Sequence, residues 1–102
     1  MGMEGTALWA PAGTSSDHLL HKDVQDGRLV FDRDTGETRL LSPLSQFIVE
    51  LLEAHAQPVS TADLVRAVHA EEPEASTQEC LAEVEAALGA LCKARMLRQV
   101  SR

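Results

Sequence analysis

The sequence has 102 residues and a mass of 11.1 kDa, room for one ordinary domain and too little for two independent cores. Sixteen Asp and Glu against nine Lys and Arg leave a net charge of −7, which repels a phosphate backbone and sets generic nucleic-acid binding aside. Apolar residues make up 44%, only Trp9, Phe31 and Phe47 are aromatic, and the core is therefore aliphatic. No apolar run approaches the ~20 residues of a membrane span. Met1 to Leu8 lacks both the basic region and the apolar segment of a signal peptide, so a cytoplasmic location is expected.

Residues 1–17, rich in Gly, Pro, Ser and Thr and without periodicity, read as an irregular arm anchored by Trp9 on a domain spanning 18–102. A three-strand meander is expected next. His18 to Val24 forms its first strand, and Asp26-Gly27 is a favoured type I′ hairpin pair. Arg28 to Asp32 follows, with Leu29 and Phe31 on one face. Arg33-Asp34-Thr35-Gly36 makes a second turn, in which Gly36 supplies the left-handed position. Glu37 to Leu41 is the third strand, and short hairpins leave it on an edge.

At Ser42 the period changes to 3.6. Ser42-Pro43 caps and opens a helix whose stripe is Leu44, Phe47, Ile48, Leu51 and Leu52, ending near Ala56 ahead of Pro58. Ser60 with Asp63 opens a second helix as a capping box, with Leu64, Val65 and Val68 facing inward, until Pro73 interrupts. Ser76 with Glu79 opens the longest helix, to about Ala94, with Leu81, Val84, Leu88 and Leu91 as its stripe. Met96 to Val100 is expected to fray or extend. Three antiparallel strands followed by three helices define an α+β, winged-helix-like fold.

Little in the chain suggests catalysis. There is no phosphate-binding glycine loop and no nucleophile elbow. Asp32 and Asp34 flank a hairpin tip, where Asp bonds local backbone N–H groups. Cys80 and Cys92 stand twelve residues apart on one helix, ~18 Å at ~1.5 Å per residue, too far for the roughly 7 Å of a disulfide. His18, His21, His55 and His69 lack zinc-ligand spacing, so neither a metal nor another cofactor is expected.

Two features carry functional weight. An exposed strand edge offers unpaired N–H and C=O groups to an extended peptide. Six acids and no Lys or Arg lie between Ala67 and Cys92, whereas Lys93, Arg95, Arg98 and Arg102 follow with no acid. Helix-dipole compensation accounts for part of this; the basic end also suits an acidic peptide.

The string Val30-Phe31-Asp32 with Thr35-Gly36-Glu37-Thr38-Arg39-Leu40-Leu41-Ser42-Pro43 resembles the PqqD-like peptide chaperones, in particular the branch of the HPr-rel-A system. The Leu-Leu of the first helix, the Ser-x-x-Asp-Leu of the second, the long aliphatic third helix and the upstream Trp9 extend the resemblance over residues 18–100. Arg39 stands where that branch carries His. The resemblance implies a non-catalytic recognition element that binds the leader of a ribosomally made precursor peptide as an added strand and presents it to a modifying enzyme. It implies a cleft of Thr38, Arg39, Leu40 and Leu41 facing Val84, Leu88, Leu91, Cys92 and Arg95, with the two arginines on opposite walls. The partners would be a precursor peptide and a peptide-modifying enzyme, with neither nucleic acid nor membrane. The alternatives are a DNA-binding winged helix, which the acidic first half of the third helix disfavours, and a structural adaptor between two proteins.

Overall fold

A computed structural model describes residues 7–12 and 19–100. Its strands are β1 (Leu8–Pro11), β2 (Leu19–Val24), β3 (Gly27–Asp32), β4 (Thr38–Leu41), β5 (Val59–Ser60) and β6 (Leu97–Val100). Its helices are α1 (Pro43–Ala54), α2 (Thr61–Glu71) and α3 (Thr77–Lys93). The remainder of the expected arm, His18 and Arg102 lie outside the described residues.

The helices begin where side chains satisfy their first N–H groups. Ser42 accepts from the Ser45 N–H at 3.1 Å, with Pro43 occupying the first turn. Ser60 accepts from the Asp63 N–H at 3.0 Å, but Asp63 turns its carboxylate to Arg66, so only one half of the expected box forms there. Ser76 and Glu79 make the full box, at 3.1 and 2.9 Å. α1 stops at Ala54, two residues short of the expected Ala56, because His55 is already extended.

α1 packs on β1, β3, β4 and α3, while α2 packs on α3. Ile48, Leu52, Leu64, Val68, Cys80, Val84 and Leu91 are essentially inaccessible at the centre of this α+β fold.

The strands form two antiparallel three-stranded sheets, ordered β2-β3-β4 and β5-β1-β6. The first is the expected meander. The second corrects the reading of residues 8–11 as irregular: Leu8 pairs with both Ser60 and Val100, and Pro11 with Leu97. β5 pairs only with Leu8 and Trp9, so Pro11 lies past its end and costs no ladder bond on that side. Trp9 anchors the segment as expected, its indole N–H donating to the buried Thr61 Oγ1 at 2.7 Å. The first hairpin also differs. Its two turn residues are Gln25 and Asp26, neither at positive φ, so the type I′ pair does not form. Gly27 instead opens β3 at φ 145°, where an added Cβ would lie 2.0 Å from the Leu41 carbonyl oxygen.

Candidate functional site

β4 is an edge strand, and its register fixes which backbone groups are free. The Asp32 N–H donates to the Glu37 carbonyl at 2.8 Å, and Val30 lies opposite Arg39 and Arg28 opposite Leu41. Hydrogen-bonded pairs alternate in an antiparallel ladder, so the N–H and C=O of Thr38 and Leu40 point away from β3. Among the described residues they have no other backbone partner. They form a short template for an incoming strand.

The two faces of this sheet differ. On the inner face Val30 and Leu41 enter the core, 3% and 6% exposed. Cross-strand pairing assigns Leu20, Lys22, Leu29, Phe31, Thr38 and Leu40 to the outer face. There Leu20, Phe31 and Leu40 stay 46%, 37% and 56% exposed. The alternating pair Leu29 and Phe31, which a half-buried strand would turn inward, therefore faces solvent.

At the far end of α3 a Schellman motif closes the helix. The Met96 N–H donates to the Leu91 carbonyl and the Arg95 N–H to that of Cys92, both at 3.0 Å. Arg95 occupies the left-handed position at φ 62°. This turns its guanidinium onto Asp32 at 2.8 Å, with Asp34 3.8 Å away. Asp32 also accepts from the N–H groups of Asp34 and Thr35, at 2.8 and 3.3 Å. The Arg95 hydrogen bond is the leading cause that holds the Asp32 carboxyl below its ordinary value of 3.8, and burial opposes it. In return Asp32 raises the pKa of Arg95, with smaller contributions from Asp34 and Glu37. Glu37 in turn receives Arg39 at 2.9 Å. Arg39 and Arg95 are thus each paired with this chain's own carboxylates, Arg39 with Glu37 and Arg95 with Asp32 and Asp34.

Of the nine expected site residues, Thr38, Arg39 and Leu40 are exposed on the edge strand, Leu41 is buried below them, and Arg95 reaches the hairpin from α3. The wall expected from Val84, Leu88 and Leu91 is a correction. These side chains are 0%, 2% and 0% exposed, because the α3 stripe is consumed by the core. Leu88 lines a cavity with Trp9, Thr61, Glu85 and Gly89. Cys92 is half-buried and packs on the core, and burial pushes its thiol upward. Cys80 shifts upward for the same reason, reinforced by Glu72, Glu83 and Glu79.

Sequence reasoning weighed Asp32 only as a turn residue and gave Phe31 and Leu20 no place in the site. For Asp32 the spacing to the Thr35-Gly36 turn signalled local bonding, but nothing signalled a cation 63 residues away. Among the described residues no group of three His, Cys, Asp or Glu could hold a metal ion, and no helix is long and apolar enough to cross a membrane.

No family model matches the sequence, and no curated protein matches it. Among solved structures the chain is similar to TbiB1, determined in complex with the TbiA(beta) leader peptide, with a TM-score of 0.63 and 20% identity. The match covers 88% of this chain and 100% of TbiB1. At that identity the likeness is one of fold.

Proposed function

We propose that this protein is a non-catalytic recognition element, which binds the leader segment of a ribosomally made precursor peptide as a strand added to β4 and presents the peptide to a separate modifying enzyme. The observation that carries this reading is the open β4 edge, where the backbone groups of Thr38 and Leu40 point outward. The fold likeness to TbiB1 supports it, since that protein was solved with a leader peptide bound. The resemblance of the Thr35 to Pro43 string to PqqD-like chaperones points the same way.

The test uses synthetic peptides covering the short open reading frames beside the gene, titrated by calorimetry and followed by amide exchange. One of them should bind and slow exchange at the Thr38 and Leu40 amides, while those of Arg39 and Leu41, already bonded to β3, change little. Binding that leaves Thr38 and Leu40 unprotected would place the peptide elsewhere and defeat the reading.

A further inference from the structure

Resting on the edge-bound peptide just proposed, we infer that Asp32 and Arg95 are positioning residues of that site. Their ion pair holds the C-terminal end of α3 against the β3–β4 hairpin, and so sets the spacing of the two walls that flank a strand added to β4.

The first wall is the open edge of β4, and the resemblance to PqqD-like chaperones implies α3 as the second. These walls belong to parts of the molecule with few direct ties. α3 packs chiefly on α1, α2 and β6, and the hairpin sheet reaches the same core through α1. Among the described residues, one side-chain hydrogen bond joins the β2-β3-β4 sheet and its turns to α3 or the turn that ends it: Arg95 to Asp32, at 2.8 Å. Both partners are fixed before any peptide arrives. The turn closing α3 keeps Arg95 in a left-handed conformation, a strain that persists only where the surroundings enforce it. Asp32 is buried, and the carboxylate oxygen that does not meet Arg95 accepts from the Asp34 and Thr35 N–H groups. Asp32 also adjoins the template, because its N–H bonds the Glu37 carbonyl and the next residue, Thr38, carries the first outward backbone groups. A displacement of Asp32 is therefore felt at once on the edge. The guanidinium of Arg95, engaged by both Asp32 and Asp34, is committed to this chain. Walls held at their bound spacing lose less freedom when a strand enters between them, which strengthens binding without a new contact to the peptide.

The probe is the tightest peptide from a random 12-residue phage library, selected on the full chain and slowing exchange at the Thr38 and Leu40 amides. Asp32→Asn keeps an oxygen for the turn but sets an amide NH₂ against Arg95, and Arg95→Gly removes the side chain while relieving the backbone. Calorimetry below the melting temperature of every variant should show each of them weakened at least ~5-fold, and the double variant no further, as for two halves of one contact. Arg28→Ala cuts the tie from β3 to Glu50 on α1 and serves as the control for lost stability; it should bind within ~2-fold of wild type. Unchanged affinity in Asp32→Asn or Arg95→Gly, with Thr38 and Leu40 still protected, would overturn the positioning role and leave edge binding standing. A loss in Arg95→Gly alone would make Arg95 a direct peptide contact, additive losses would separate the two residues, and an equal loss in Arg28→Ala would reduce the effect to stability. Each of these overturns the inference. Should no selected peptide protect Thr38 and Leu40 in the wild-type chain, edge binding and the inference fall together.

Discussion

Arg95 occupies a position that usually belongs to glycine, and its side chain explains why. A left-handed residue with a Cβ is strained, yet the arginine placed there reaches Asp32 across 63 residues of chain. Arg95→Gly relieves the strain and loses the ion pairs, whereas Arg95→Ala loses the pairs and keeps the strain. Thermal melts should therefore rank Arg95→Ala below Arg95→Gly. Asp32 makes the same contact legible through pH. Its carboxyl is held below 3.8 in the folded state, so between that lowered value and 3.8 the unfolded chain binds more protons. The stabilisation is complete above the unfolded value and is lost as pH falls through the folded one. Asp32→Asn should lower the melting temperature by a constant amount from neutral pH down to about pH 5. The difference should shrink at more acidic pH. At Gly27 the demand is steric: with a Cβ 2.0 Å from the Leu41 carbonyl oxygen, Gly27→Ala should cost more than ~1 kcal/mol in urea unfolding and disturb the β3–β4 ladder.

Among the elements, those defined by local chemistry were legible in the sequence. Ser42-Pro43, Ser60 and the Ser76–Glu79 box mark three helix starts, and Gly36 marks the β3–β4 turn, because each signal acts within four residues. β1 and β5 were not, and β6 only as one of two outcomes for Met96 to Val100, since two to four residues show no period and their pairing partners lie about fifty and ninety residues away. The edge of β4 was legible from the hairpin lengths. The availability of the α3 stripe was not, because a periodic apolar face reads alike whether it meets a core or an open groove. The two environments separate on truncation: Leu88→Ala should cost ~2–5 kcal/mol as a core cavity, and Leu40→Ala within ~0.5 kcal/mol as a surface change. Paired denaturation curves measure both.

At the scale of the whole molecule, the charge of −7 predicts that no DNA is retarded in a mobility shift at ~100 mM salt against competitor, because few cations are free to release counterions. The β5-β1-β6 sheet has a different consequence, one of timing. Leu8 pairs with Val100, so the central strand of this sheet waits for a partner made about ninety residues later. Closing so long a loop is entropically unfavourable, and contacts of this separation slow folding. The hairpin sheet, with neighbours a few residues apart, has no such delay. Trp9 is the sole tryptophan and lies within β1, so its fluorescence reports this closure. In refolding, the Trp9 signal should lag the recovery of helical circular dichroism, and a chain stopped at Met96 should keep Trp9 in a solvated state. During synthesis, then, the β4 edge is assembled while β1 still lacks β6, and the open backbone groups of Thr38 and Leu40 are displayed before the second sheet is complete.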